Sequence, residues 1–189
     1  GVTLIDPETN YFSYDTIIKK DVTIFPNVFI GEGVKIDSGS SILPFCHLEN
    51  CYINKNVTIG PFARVRGNTV LKENVKIGNF VELKNVISKK DVKINHLSYI
   101  GDTSIGKSSN IGAGTITCNY DGYKKNKTSI GSNAFVGSNS TIVAPIKIGN
   151  NSTIGAGSVI TNDVKNGELA IGRQRQINKK DRSITKKKN

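Results

Sequence analysis

Aliphatic residues spaced six apart are the feature that most narrows what this chain can fold into. From Ile24 they run through Ile30, Ile36, Ile42 and Leu48, and after a five-residue step through Ile53, Ile59, Val65, Leu71, Ile77 and Leu83. Two more five-residue steps lead through Ser88, Ile94 and Ile100, then Ile105, Ile111 and Thr117. The phase returns as Ile130, Val136, Ile142, Ile148, Ile154 and Ile160. Of these 23 positions 21 are Ile, Leu or Val, which is a repeat rather than a chance run, and ten precede a glycine, as in Ile59-Gly60 and Ile148-Gly149. An amphipathic helix would need apolar residues at i, i+3, i+4 and i+7. A period of six with β-branched residues at one phase instead predicts short strands separated by corners, with one side chain per period pointing inward. Three periods close a triangular coil, and stacked coils pair their strands in parallel around a column about seven to eight coils long.

The phase is interrupted between Thr117 and Ile130, where the step is 13 residues and neither intervening phase is aliphatic. Residues 118–129 are therefore read as a loop that leaves the coil, carrying Asn119, Tyr120, Asp121, Lys124, Lys125 and Lys127. A polar, aromatic and basic loop on a rigid scaffold is a place for function. The chain divides into a lead-in over 1–16, the coiled domain over 17–172 and a basic tail over 173–189.

Charge and cysteines narrow the function classes. The net charge is +11, but from Arg173 onward eight cations face the single anion Asp181, a net of +7, so the body holds only about +4. A solvated tail accounts for the excess better than a nucleic-acid surface does. No apolar run approaches the roughly 20 residues of a membrane span, and no basic stretch followed by an apolar region opens the chain. Cys46, Cys51 and Cys118 form neither an even set nor a CxxC pair, which disfavours a disulfide framework or a zinc cluster and fits a reducing cytoplasm. The chain starts at Gly1 and has no methionine, so it is expected to be part of something longer.

The repeat, together with Gly60-Pro-Phe-Ala-Arg-Val-Arg66, Gly78-Asn-Phe-Val-Glu-Leu-Lys84, His96-Leu-Ser-Tyr-Ile-Gly-Asp102 and the run from Asn110 to Gly122, resembles the C-terminal domain of the bifunctional N-acetylglucosamine-1-phosphate uridyltransferase/glucosamine-1-phosphate N-acetyltransferase family. One corner departs from it, with Gly67-Asn68 where a proline is usual. The resemblance implies an all-β, left-handed parallel β-helix, a triangular prism assembled as a homotrimer with intersubunit active sites. It implies acetyl transfer from acetyl-CoA to the amine of glucosamine-1-phosphate, feeding UDP-N-acetylglucosamine synthesis for peptidoglycan and lipopolysaccharide. Uridyl transfer, with its Mg2+, belongs to a domain this chain lacks, and no tightly bound cofactor or metal is expected.

Site residues follow from spacing and resemblance together. Lys84 lies 18 residues after Arg66, one coil, and each stands one place past an inward aliphatic, so both face outward on adjacent strands about 4.8 Å apart. The resemblance assigns them, with Lys125, to the sugar phosphate. It makes His96 the general base, a task suited to an imidazole that titrates near neutrality, and leaves His47 structural. Tyr99 and Asn110 are assigned to the sugar hydroxyls, and Asn119 and Tyr120 to the acetyl end of the donor. Either Asn119 or a backbone N–H could stabilise the oxyanion. The resemblance further implies that Ala113, Ser138 and Ala156 leave room for the pantetheine arm and that Arg173 meets the CoA phosphates. Rival readings are another hexapeptide acyltransferase, against which the Asn119–Gly122 loop argues, a trimeric metal hydratase, for which two histidines are too few, and a non-enzymatic solenoid.

Overall fold

The six-residue phase reappears as strand positions. In the computed structural model, which describes residues 1–180, strands of two to four residues alternate with corners and stack into three parallel sheets. The first face has ten strands, from Thr3–Leu4 and Thr23–Ile24 to Leu169–Ala170; the second has nine, from Tyr11–Phe12 to Val159–Ile160; the third has eight, from Ile17–Ile18 to Ile146–Ile148. Each strand pairs with those one coil away, as in Val65↔Leu83 and Leu83↔Ile100. The result is the expected all-β, left-handed parallel β-helix of about nine coils. It exceeds the anticipated length because residues 1–16 themselves supply Thr3–Leu4 and Tyr11–Phe12, paired to Thr23–Ile24 and Phe29–Ile30. The six-residue phase itself runs back from Ile24 to Ile18 and Phe12, which pack half-buried on the core, and only the step from Leu4 to Phe12, stretched by a short 3-10 turn, Pro7–Thr9, departs from it.

All 23 phase positions are buried, including Ser88 and Thr117. The expectation of one inward side chain per period needs correction, because the residue two places before each phase position is buried as well, from Val22 and Val28 to Ser152 and Ser158. Alternation along a strand puts i and i−2 on the same side, and near the corner only a small side chain fits. Hence Val, Ala, Cys, Ser and Thr fill this second column, with Ile146 the one larger member. Most of its hydroxyls donate to backbone carbonyls, as Thr115 does to Gly112 O at 2.7 Å, Ser140 to Gly137 O at 2.6 Å and Ser152 to Gly149 O at 2.7 Å, while those of Thr128 and Ser158 have no partner among the described residues. Cys46 and Cys51 occupy the same column, and burial pushes their thiols up to about 11 and about 12, so they act as small apolar groups.

Corners turn through left-handed backbone, mostly at asparagine: Asn27, Asn50, Asn56, Asn68, Asn74, Asn85, Asn133, Asn139 and Asn151 all have positive φ, as have Asp21, Asp91 and Asp102. Short polar side chains tolerate this conformation better than other L-residues. At the departing corner Gly67 and Asn68 are both left-handed, at φ 68° and 60°, which makes the turn without proline. Gly78 shows why glycine follows a phase residue, since a Cβ there would run into the carbonyl of Asn95 one coil on. Of the tail, residues 181–189 lie outside the described residues. Among the described residues no helix is long and apolar enough to cross a membrane.

Each fully buried isoleucine is packed by the rungs above and below it, so a truncation leaves a cavity that neighbours cannot close. Ile94→Ala is expected to lower stability by about 2 to 5 kcal/mol in chemical denaturation; a loss below about 1 kcal/mol would mean that the column relaxes into the gap.

Candidate active site

Two corners of the prism carry the predicted residues. At the corner from the first face to the second, a hydrogen-bonded line climbs from coil to coil. Gly114 N donates to His96 O at 3.2 Å, Asn139 N to Ala113 O at 2.7 Å, Gly157 N to Ser138 O at 2.8 Å, and Arg173 Nε to Ala156 O at 2.8 Å. His96, Ala113, Ser138, Ala156 and Arg173 thus form one vertical edge, with Ser138 and Ala156 exposed along it. Close stacking makes this edge thin, because a Cβ on Gly112 would press on Ser138 N and one on Gly137 on Ala156 N. His96 itself ends the strand Lys93–His96, is exposed, and sits in register above Asn79, whose Oδ1 lies 2.7 Å from its Nδ1. A shallow hollow of about 350 Å³ lies beside it, walled by Phe62 and Phe80.

The other corner, from the second face to the third, gathers the cations. Arg66 and Lys84 are register partners, and Lys84 in turn pairs with Gly101. Arg66 is not an unpartnered cation, because its Nε donates to Glu82 Oε1 at 2.8 Å. The Lys84 ammonium is held below the ordinary lysine range, first by its hydrogen bond with Lys125, then by desolvation and the charges of Lys125 and Arg66, with Asp102 opposing. Three cations therefore share one small space, the arrangement an anion would relieve. Asp102 stands beside them: burial raises its carboxyl, but hydrogen bonds from Asn85 and Asn119 and the charges of Lys84 and Lys125 outweigh that and leave it below its usual value.

Between the corners lies Tyr99, on the second face in the strand Tyr99–Gly101. Its hydroxyl and the Asn119 amide both hang over Gly101, where a Cβ would come within 2.7 Å of the first and 2.6 Å of the second. Asn110 lies apart from Tyr99, on the first face, in register with Lys93 and Phe135. The excursion is narrower than expected, since Ile116–Cys118 and Thr128–Ile130 are both strands, and only 119–127 leaves the coil. Asn119 is buried, donates its amide to Asp102, and receives Asn126 N on its carbonyl at 2.7 Å, so it anchors the loop at both ends. Asp121 braces the tip by accepting from Tyr123 N and Lys124 N, each at 2.9 Å, and from the Asn126 amide, and these bonds lower its carboxyl to about 2. Tyr120 and Lys125 bridge across the base and stay exposed.

Three residues of this region were not read from the sequence: Asn79 beneath His96, Glu82 beside Arg66 and Asp102 beneath Asn119. The one-coil spacing that paired Arg66 with Lys84 would have found the first and the last, each 17 residues from its partner. His47 packs on the Phe29 ring with centroids 4.6 Å apart, away from both corners. Two larger hollows, of about 650 and 630 Å³, lie on the third face, and His96 lines neither. Among the described residues no three His, Cys, Asp or Glu side chains gather as a metal ion would require.

Comparison with known proteins bears on this arrangement. Residues 127–162 match the family described as the hexapeptide repeat of succinyl-transferase, and residues 47–120 the GMPPB C-terminal domain. The chain is 56% identical over 180 residues to the bifunctional protein GlmU of Wolbachia pipientis wMel, and 53% identical over 179 residues to that of Zymomonas mobilis subsp. mobilis (strain ATCC 31821 / ZM4 / CP4). Each alignment takes in 95% of this chain but only 42% and 40% of the relative, so the chain spans about two fifths of these proteins. Among solved structures, LpxA from Acinetobacter baumannii superposes with a TM-score of 0.69 at 21% identity, over 90% of this chain and 71% of that one. The UDP-N-acetylglucosamine acyltransferase from Campylobacter jejuni gives 0.50 at 15% identity, over 83% and 72%. At such identities the likeness is one of fold.

The crowding of the three cations can be measured. Lys125→Ala removes the first cause of the depressed Lys84 value, so the Lys84 pKa is expected to rise toward that of an ordinary lysine in a ¹³C NMR titration, and saturating phosphate is expected to raise it in the unaltered protein. An unchanged Lys84 titration in both cases would mean that the two amines do not meet.

Proposed function

We propose that this chain, which belongs to the bifunctional GlmU family along the stretch of those proteins that it spans, transfers an acetyl group from acetyl-CoA to the amine of glucosamine-1-phosphate. The observation that carries the reading is that a histidine edge and a crowded triad of cations flank one sheet face, with Tyr99 between them. An acceptor with an amine at one end and a phosphate at the other suits such a face.

In this reading Arg66, Lys84 and Lys125 hold the sugar phosphate, for which charge-assisted bonds are the strong ones. Tyr99 and Asn110 meet the ring hydroxyls. His96 Nε2 takes a proton from the amine as its nitrogen attacks the thioester carbonyl. The tetrahedral intermediate then collapses with cleavage of the C–S bond, the His96 imidazolium gives its proton to the departing CoA sulfur, and the thiol leaves with His96 neutral again. The donor runs along the edge past Ala113, Ser138 and Ala156, with Arg173 at its phosphates and Asn119 and Tyr120 at its acetyl end. Because Asp102 already engages the Asn119 amide, a backbone N–H is the better candidate for the oxyanion. The product, N-acetylglucosamine-1-phosphate, is the precursor for UDP-N-acetylglucosamine in peptidoglycan and lipopolysaccharide synthesis, a cytoplasmic task.

His96 is exposed at its corner and Tyr99 half-exposed on the second face, so the reading includes a homotrimer in which the 119–127 loop of one subunit closes the site of another. Closed cyclic symmetry suits such a heterologous contact. Light scattering is expected to give three chains per particle; a fully active monomer would refute this part. The activity is tested by thiol release from acetyl-CoA with a panel of amino sugars. Release is expected with glucosamine-1-phosphate, and release only with unphosphorylated amines would sink the reading. His96→Ala is expected to lower turnover by about two to four orders of magnitude, the usual contribution of a general base, with an unchanged circular dichroism spectrum.

A further inference from the structure

Among the described residues His96 has one side-chain hydrogen-bond partner. Asn79 lies one coil below it, in register, with its Oδ1 2.7 Å from His96 Nδ1. The other residues that line the hollow at His96 run from Gly60 to Phe62 and from Gly78 to Phe80, with Asn95, and none of them titrates. The residue one coil above is Ala113, and His96 makes no ion pair with a described acid. The imidazole therefore meets a single neutral acceptor on one nitrogen, and on an exposed side chain the other nitrogen has no partner among the described residues.

We infer that Asn79 is a positioning residue for acetyl transfer: its side-chain carbonyl accepts the Nδ1 proton of His96 and so leaves the lone pair on Nε2. The inference rests on the reading of His96 as the base. A ring nitrogen accepts a proton only when its partner nitrogen carries one, and the hydrogen bond made by one nitrogen fixes the state of the other. An amide suits this task better than a carboxylate would. It fixes the tautomer while remaining neutral, so the imidazolium gains no opposite charge that would raise its pKa and keep the base protonated near neutral pH. Asn79 is itself held by the strand Lys76–Asn79 and by the close stacking of Gly78 on Asn95, so the ring is oriented by the same rung geometry that builds the core.

The test uses the full chain. ¹⁵N NMR of His96 in the unaltered protein, above its titration, is expected to show Nδ1 protonated and Nε2 bare. Asn79→Leu is expected to lower kcat roughly 10 to 100-fold, with the KM values for both substrates within about twofold. Asn79→Asp is expected to keep more activity than Asn79→Leu and to move the acidic limb of the kcat/KM profile to higher pH, because a carboxylate stabilises the imidazolium. An Nε2-protonated tautomer, or variants whose rates and pH profiles overlay those of the parent, would overturn the inference while leaving the base reading intact. Near-normal turnover of His96→Ala would instead overturn the base reading, and the tautomer measurement would still decide what Asn79 does.

Discussion

Everything in this molecule depends on the lateral hydrogen bond from one coil to the next. A strand of two or three residues has no stability alone, and a coil cannot bury its own inner face. Parallel pairing at one rung spacing, about 4.8 Å, forces each residue to sit over the residue one coil earlier. The fold is therefore a set of vertical columns, and any residue type that recurs at the coil spacing becomes a stack. Aliphatics make the core, small residues make the second inner column, and asparagines make the corners.

The same rule builds the candidate site. Stacking brings Arg66 against Lys84, and the loop then adds Lys125, although like charges on adjacent strands repel. The lowered Lys84 value records that cost. Glu82 and Asp102 offset part of it without closing the space: Glu82 takes the Arg66 Nε, and Asp102 spends its oxygens on Asn85 and Asn119. What remains is a cluster of positive charge in which backbone register sets Arg66 beside Lys84 and the loop adds Lys125, a partial preorganisation for an anion.

Much of this was legible from spacing. The inward phase, the parallel register, the Arg66–Lys84 stack and the excursion after Cys118 all follow from counting sixes and eighteens. The second inner column was not legible at the same level, because Val, Ala, Ser and Thr at i−2 look like an ordinary mixture until the strand geometry says that the site is inside and narrow. The start of the first coil was not legible because Pro7–Thr9 stretches the step from Leu4 to Phe12, although Phe12 and Ile18 keep the spacing of six. Glu82 and Asn79 were passed over because a carboxylate and an amide in a strand carry no chemical signature by themselves. They acquire one only from the residue above or beside them.

The division of the predicted residues between two corners has a physical consequence for how the chain can work. On a single prism the His96 edge and the three cations are separated by the width of the second face, while Asn110 lies on the first face, on the far side of the His96 corner. A stiff β-helix cannot fold these positions toward one another, because each is locked by coil-to-coil bonds on both sides. A site that needs all of them must therefore be completed by a surface brought against the prism from outside it. The 119–127 loop is the part of the described chain best built to supply one: anchored at its base by Asn119 and braced at its tip by Asp121, it projects Tyr120 and Tyr123 into solvent while Lys125 stays beside Lys84. Rigid anchoring under an exposed aromatic and basic tip makes sense for a segment that must reach another body at a fixed height, and the rung spacing of the helix sets that height.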